Sequence, residues 1–154
     1  MQTISDSPIR ILCAVNGAFS SHVARVLAVA LELRPYPEFQ IVFSGSGPFM
    51  AMPRRYGFEI IETDHLTQHE VFATTDSTGI HWYDDPARLE ELFHAEQTTF
   101  ETWRPDVCVR DAFRDPASVV ARLSNVMDIM VIQANETSAF EFDFVPTNYD
   151  LGGT

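Results

Sequence analysis

One histidine and one aspartate stand at the ends of two predicted strands. His22 lies in the first turn of a helix predicted from Ser21 to Leu33, shortly after an apolar strand at residues 9–15. Asp111 closes a second apolar strand at residues 106–111. A carboxylate that holds one imidazole nitrogen orients the ring and leaves the other nitrogen to take a proton from a substrate hydroxyl. The pair predicts a general base and its orienting partner, and the alternative is a solvated histidine and a structural aspartate.

These two residues can meet only if their strands are neighbours, which the order of elements predicts. Strands are expected at residues 9–15, 39–45, 58–62, 106–111 and 127–133, with helical segments between most of them. This alternation is typical of a single α/β domain with a doubly wound, Rossmann-like, mostly parallel sheet and helices on both faces. A strand order of 3-2-1-4-5 would place the first and fourth strands side by side at the switch point, where such folds bind ligands.

The domain is expected to span residues 9–135. Residues 1–8 are predicted to be a flexible tail, and no element is assigned to residues 136–154, which are rich in aromatic and acidic residues. Residues 63–84 show no sustained hydrophobic period and are predicted to form a long loop, of the kind that is often functional.

Several further groups could bind a ligand. Phe72, Trp82 and Tyr83 in the long loop could stack on a sugar or an aromatic ligand, or could pack the loop onto the domain. His65 and His69 have the spacing of two metal ligands on a helix, but with no helix predicted there we interpret them as mobile loop histidines. The chain has no G-x-G-x-x-G or P-loop motif. We therefore expect neither a metal nor a cofactor.

Composition excludes several classes of partner. The formal net charge of −12 repels nucleic acid and anionic membranes. No apolar run approaches the roughly 18 residues needed to span a bilayer, and the first residues do not resemble a secretory signal. Cys13 and Cys108 lie in apolar strands and are expected to be buried free thiols. These features predict a cytoplasmic protein without a membrane span.

The sequence resembles the amino-terminal, acceptor-binding half of GT-B glycosyltransferases, in particular bacterial enzymes that glycosylate macrolides and flavonoids. "RILCAVNGAFSSHVARVLAVALEL" is similar to that family's opening strand, loop, histidine and helix. "YGFEI", "RPDVCVRDAF" and "VVARLSNVMDIMVIQAN" resemble its third strand, its aspartate-bearing strand and its next helix and strand. The loop before the histidine is poorer in glycine than is usual in the family.

This resemblance implies a reaction and its residues. His22 would be the catalytic base and Asp111 its orienting partner, and Phe19, Phe72, Trp82 and Tyr83 would contact a small lipophilic acceptor. The implied reaction transfers a sugar from a nucleotide sugar to an acceptor hydroxyl. The family binds the nucleotide sugar mainly on a second domain, for which residues 136–154 are too few, so we expect a separate donor-binding partner chain or a homo-oligomer, and little activity alone.

Two other classes of protein remain open from the sequence. "ILCAVNGAFSSHVARVLAVALEL" also resembles the opening of universal stress proteins, which bind nucleotides, but "RDAFRDPASVVARL" lacks the glycines of their phosphate-binding stretch. The third interpretation is a non-catalytic module that binds small molecules or proteins through an exposed apolar face.

Overall fold

The computed structural model describes residues 7–76, 79–80, 84–112 and 114–132. Trp82, Tyr83 and the segment at 136–154 lie outside them. None of the described helices is both long and apolar enough to cross a membrane.

Five parallel strands form the central sheet, in the order β3-β2-β1-β6-β7. The strands are β1 (Ile9–Ala14), β2 (Phe39–Gly45), β3 (Glu59–Glu62), β6 (Val107–Asp111) and β7 (Met127–Val131). A short antiparallel pair, β4 (Thr75–Asp76) and β5 (Gly79–Ile80), lies outside this sheet. The predicted fold class and strand order are confirmed.

Helices cover both faces of the sheet. They are α1 (Ser20–Leu33), a 3-10 turn at Pro48–Met50 continued by α2 (Ala51–Arg55), α3 (Gln68–Ala73), α4 (Pro86–Trp103) and α5 (Asp115–Leu123). Asp85 caps α4 by accepting a hydrogen bond from the Arg88 amide, as the Asp-Pro sequence predicts.

The core lies on both sides of β1 because alternate side chains of a strand point to opposite faces. Ile11, Cys13 and Val15 pack with the buried stripe of α1, whereas Leu12 and Ala14 pack with residues of α4 and α5. All five side chains are buried. A strand buried on both faces needs a continuous apolar run, which here extends from Ile11 to Val15.

The prediction that residues 63–84 form a loop without elements was wrong. Residues Gln68–Ala73 form α3, which begins with a capping box between Thr67 and Glu70. The Thr67 side chain accepts from the Glu70 amide while the Glu70 carboxylate accepts from the Thr67 amide, so two amides at the helix start are satisfied. The helix is too short to show a hydrophobic period, and the T-x-x-E spacing was its signal.

The helix α1 begins one residue earlier than the predicted Ser21. The N-cap residue is Phe19, which makes no side-chain capping bond. The helix therefore begins at Ser20, and His22 occupies its first turn.

Candidate active site

His22 and Asp111 lie next to each other at the carboxyl end of the sheet. β1 and β6 are paired neighbours, so the loop that follows β1 and the last residue of β6 meet at the same edge. The distance from His22 Nδ1 to Asp111 Oδ1 is 3.6 Å. This is longer than a direct hydrogen bond of about 2.7–3.2 Å, and contacts of this kind often tighten only when substrate binds. Their side chains are 11% and 0% exposed, so the contact is shielded from water.

A backbone hydrogen bond fixes the other oxygen of Asp111. Asp111 Oδ2 accepts from the Asn16 amide at 2.8 Å, and Asn16 Oδ1 accepts from the Ala18 amide at 3.0 Å. Both contacts are buried, where an unsatisfied amide would be costly. The loop between β1 and α1 is thus tied to β6, and this holds the Asp111 carboxylate at the first turn of the helix that carries His22.

A buried ion pair supports this loop from the opposite side. Arg114 and Glu96 are both fully buried and form an ion pair, and Arg114 Nη1 also donates to the Val15 carbonyl at 2.9 Å. Burial raises the pKa of Glu96, and the charge of Arg114 opposes that shift. The pair therefore links α4 to Val15, the residue that precedes Asn16.

Phe19 and Phe72 form an aromatic wall beside His22. The centroids of the Phe19 and His22 rings are 5.2 Å apart, and Phe72 meets Phe19 edge to face at 6.1 Å. Phe72 comes from α3 and is 64% exposed. The structure therefore brings together four of the predicted site residues, whereas Trp82 and Tyr83 lie outside the described part of the chain.

A cavity of about 280 Å³ reaches Ala18, the residue before Phe19, although Phe19, Phe72, His22 and Asp111 themselves are not part of its lining. It is bounded by Ala18, by residues 46–48 after β2 and by residues 64–68 before and at the start of α3. Gly47 (φ +112°) contacts Gly17 so closely that a Cβ on Gly47 would lie 2.6 Å from the Gly17 carbonyl. A larger cavity of about 470 Å³ lies around Arg10 and Arg104, at the amino end of β1. We assign the site to the smaller cavity because parallel α/β sheets bind ligands at the carboxyl ends of their strands.

His65 is a buried residue, which contradicts its interpretation as a mobile loop histidine. Its side chain is 1% exposed, and neither ring nitrogen has a hydrogen-bond partner among the described residues. Burial lowers the pKa of His65 well below its ordinary value, and the nearby charges of Arg114 and Arg88 lower it further. The ring is therefore held neutral, on the wall of the cavity.

The remaining candidates have other environments. Cys13 and Cys108 are buried free thiols whose pKa values are raised by burial, as expected for structural cysteines. Among the described residues, no three potential metal ligands lie together.

Sequence reasoning missed the buried pair of Glu96 and Arg114. Glu96 stands four residues after Leu92 and four before Phe100, on the apolar stripe of α4. A charged residue within such a stripe predicts a buried partner, and this signal was overlooked. No pattern in the sequence points to Asn16 or to the burial of His65.

The sequence matches no known protein family and no curated protein. Its fold, however, matches solved structures. The glycotransferase of kitacinnamycin superimposes with a TM-score of 0.63 at 20% identity, over 80% of this chain and 30% of that one. The glycosyltransferase VinC in complex with dTDP superimposes with a TM-score of 0.60 at 13% identity, over 86% of this chain and 37% of that one. A UDP-N-acetylglucosamine 2-epimerase superimposes with a TM-score of 0.56 at 10% identity, over 94% of this chain and 38% of that one.

The class of fold is therefore Rossmann-like, as in GT-B glycosyltransferases. The chain spans about a third of the length of these structures. At these identities the likeness defines the fold alone, so any function must be argued from the site.

Proposed function

We propose that this chain is the acceptor-binding half of a GT-B-like glycosyltransferase, which transfers a sugar from a nucleotide sugar to a hydroxyl of a small lipophilic molecule. The observation that carries the proposal is the contact between His22 and Asp111 at the switch point of the sheet. A shielded imidazole beside a buried carboxylate is the arrangement that a general base requires.

In this reaction, Nε2 of His22 takes the proton of the acceptor hydroxyl. The hydroxyl oxygen then attacks the anomeric carbon of the sugar, and the bond from that carbon to the nucleotide diphosphate breaks. Asp111 orients the imidazole through Nδ1 and stabilises its protonated form. Because one base activates the attacking oxygen directly, inversion at the anomeric carbon is expected.

The acceptor would bind against the wall formed by Phe19 and Phe72. The Phe19 ring lies beside His22 and the Phe72 ring beside Phe19, and the 64% exposure of Phe72 leaves apolar surface for a ligand to cover. An apolar wall near a cavity with both apolar and polar lining groups suits a molecule that is mostly hydrophobic with a few hydroxyl groups.

The nucleotide sugar would bind mainly to groups supplied by a separate donor-binding half. Arg110 and Arg114, two buried arginines near the carboxyl end of the sheet, are already paired with Asp128 and Glu96. A structural neighbour, VinC, is in complex with dTDP. We therefore expect the chain alone to release no glycosylated product.

Ligand-observed NMR on the isolated chain tests the proposal. Lipophilic hydroxylated molecules are expected to bind, to bind more weakly to His22→Ala and Phe72→Ala, and to bind normally to the control His94→Ala. His94 is an exposed histidine on α4 whose side chain pairs with Glu90, so its replacement should leave the site unchanged. Tight ATP binding without acceptor binding would overturn the proposal in favour of a nucleotide-binding protein. No binding across the panel would also contradict it.

A further inference from the structure

The side chain of one residue in the cavity lining makes no hydrogen bond. His65 is 1% exposed, and neither of its ring nitrogens has a partner among the described residues. A neutral imidazole carries one N–H donor and one acceptor nitrogen. Burying both without partners costs free energy, and native proteins rarely keep such groups without a reason. The environment of His65 therefore indicates a role beyond folding.

Arg88 of α4 holds the segment that carries His65. Its guanidinium donates to Asp64 Oδ2 at 2.6 Å and to the His65 carbonyl at 3.4 Å, and its Nε donates to Glu70 Oε1 at 2.8 Å. One side chain thus fixes the backbone on both sides of the imidazole without using the ring. A group that is already ordered can bind a ligand with a smaller loss of conformational entropy.

The other polar residues of the lining are uncharged or acidic. Ser46 and Thr67 carry hydroxyl groups and Gln68 carries a carboxamide, whereas the carboxylate of Asp64 is already bonded to Arg88. None of the described lining residues is an arginine or a lysine. An anion such as phosphate would therefore find no permanently cationic side chain in this lining. Hydroxyl groups, which both donate and accept, match the polar groups that are present.

The size and the apolar part of the lining limit the ligand further. The volume of about 280 Å³ lies just below the range of about 300–1,000 Å³ of pockets for drug-sized ligands. Ala18, Pro48 and Leu66 add apolar residues to the lining. A sugar or a cyclitol combines an apolar ring face with hydroxyl groups at its edge. The cavity therefore suits one hydroxylated ring.

We propose that this cavity binds an uncharged, hydroxylated ring, with the imidazole of His65 as its buried hydrogen-bonding group. One ring nitrogen accepts from a ligand hydroxyl and the other donates to a second hydroxyl or to the same one. Burial, together with the charges of Arg114 and Arg88, lowers the pKa of His65, so the acceptor nitrogen is available at neutral pH. This inference does not depend on sugar transfer, because it concerns binding in the cavity alone.

NMR of the histidine ring nitrogens in the full chain tests the proposal. The probes are the methyl pyranosides of glucose, galactose and mannose, and myo-inositol, with inorganic phosphate as the anionic comparison. At least one probe is expected to shift the ring nitrogen resonances of His65 saturably, because they gain hydrogen bonds. The resonances of exposed His94 should stay unchanged. Phosphate should shift neither residue, and the absence of a saturable His65 shift with every sugar and with inositol would overturn the proposal.

Two substitutions separate hydrogen bonding from packing. His65→Phe keeps an aromatic ring but has no ring nitrogen, so it should weaken binding of the best probe about tenfold. His65→Gln keeps a donor and an acceptor and should retain part of the affinity. The matched control is His69→Phe, at an exposed histidine of α3 outside the lining, which should bind as the unaltered chain does. Amide spectra of β1 report whether each variant is folded.

The outcome is separable from that of the proposed function. Equal affinity of His65→Phe and the unaltered chain would overturn this inference, as would tighter binding of phosphate than of any sugar. Acceptor binding lost in His22→Ala, with probe binding kept in His65→Phe, would support the proposed function and contradict this one. Probe binding lost in His65→Phe and kept in His22→Ala would support this inference whatever the result for sugar transfer.

Discussion

The carboxylate of Asp111 accepts a hydrogen bond from the backbone amide of Asn16, at 2.8 Å, across 95 positions of sequence. The bond joins the end of β6 to the loop after β1. It leaves the second carboxylate oxygen beside His22. One side chain thus fixes the loop and contacts the candidate base, so the stability of this loop and the chemistry of the site depend on the same residue.

Replacing Asp111 by alanine should destabilise the protein by about 1–3 kcal/mol, because the buried Asn16 amide loses its acceptor. Asp111→Asn keeps an acceptor oxygen and should cost less. Urea denaturation measures both. Asp106 is the matched control, since its carboxylate accepts from the Arg10 amide at 2.8 Å in an exposed position. Asp106→Ala should therefore cost less than Asp111→Ala, and equal costs would contradict the importance of burial.

Breaking the buried ion pair should be strongly destabilising. Arg114→Met or Glu96→Leu is expected to cost about 3–5 kcal/mol, because each leaves an uncompensated buried charge. The double variant should recover part of that loss. In contrast, Arg54→Met at the exposed pair with Glu62 should change the free energy of unfolding by about 1 kcal/mol or less. A double variant no more stable than the single ones would show that the charges are not coupled.

The two single variants should also respond differently to pH. In Arg114→Met the pKa of buried Glu96 stays above its unfolded value, so the folded state binds the extra proton. Stability should then fall as the pH rises above about 4.5 and level off once the folded carboxyl has ionised. In Glu96→Leu the arginine cannot lose its proton and no such dependence arises. Denaturation curves at pH 5 and pH 8 compare them.

His65 should make the protein less stable in mild acid. Its folded pKa is lowered, so below about pH 6.5 the unfolded chain binds a proton that the folded chain does not. Stability is retained above that pH and declines below it, by at most about 1.4 kcal/mol per pH unit. His65→Gln removes this contribution, and the difference in slope between the two proteins isolates it. Identical slopes would show that the ring titrates normally.

Gly47 should tolerate no side chain. A Cβ there would clash with the Gly17 backbone at 2.6 Å, and the φ of +112° is unfavourable for other residues. Gly57 has a φ of +79°, but its nearest neighbour to a Cβ, an Arg34 nitrogen, is 3.7 Å away. Gly57→Ala should cost about 1–2 kcal/mol, and Gly47→Ala more, as thermal unfolding can measure. A smaller cost at Gly47 would mean that the loops can separate.

The sequence was sufficient for the sheet because its strands are unusually clear. Apart from Arg10 the residues of β1 are apolar, which favours burial on both faces and hence a parallel sheet between helix layers. The same reasoning failed at α3, where six residues are too few for periodicity and a capping box is the only local signal. It also failed at Glu96, whose charge on an apolar stripe could be explained only by Arg114, which lies on another element.

Local patterns of the sequence determined the succession of strands and helices, the placement of His22 in the first turn of a helix and the position of Asp111 at a strand end. Hydrophobic period and turn residues are encoded within a few neighbouring positions, so such features can be inferred without the fold. Only the tertiary structure decided that Asp111 holds Asn16, that Arg114 meets Glu96 and that Phe72 covers Phe19. These contacts join residues far apart in sequence, and their partners are selected by packing, which no local pattern records.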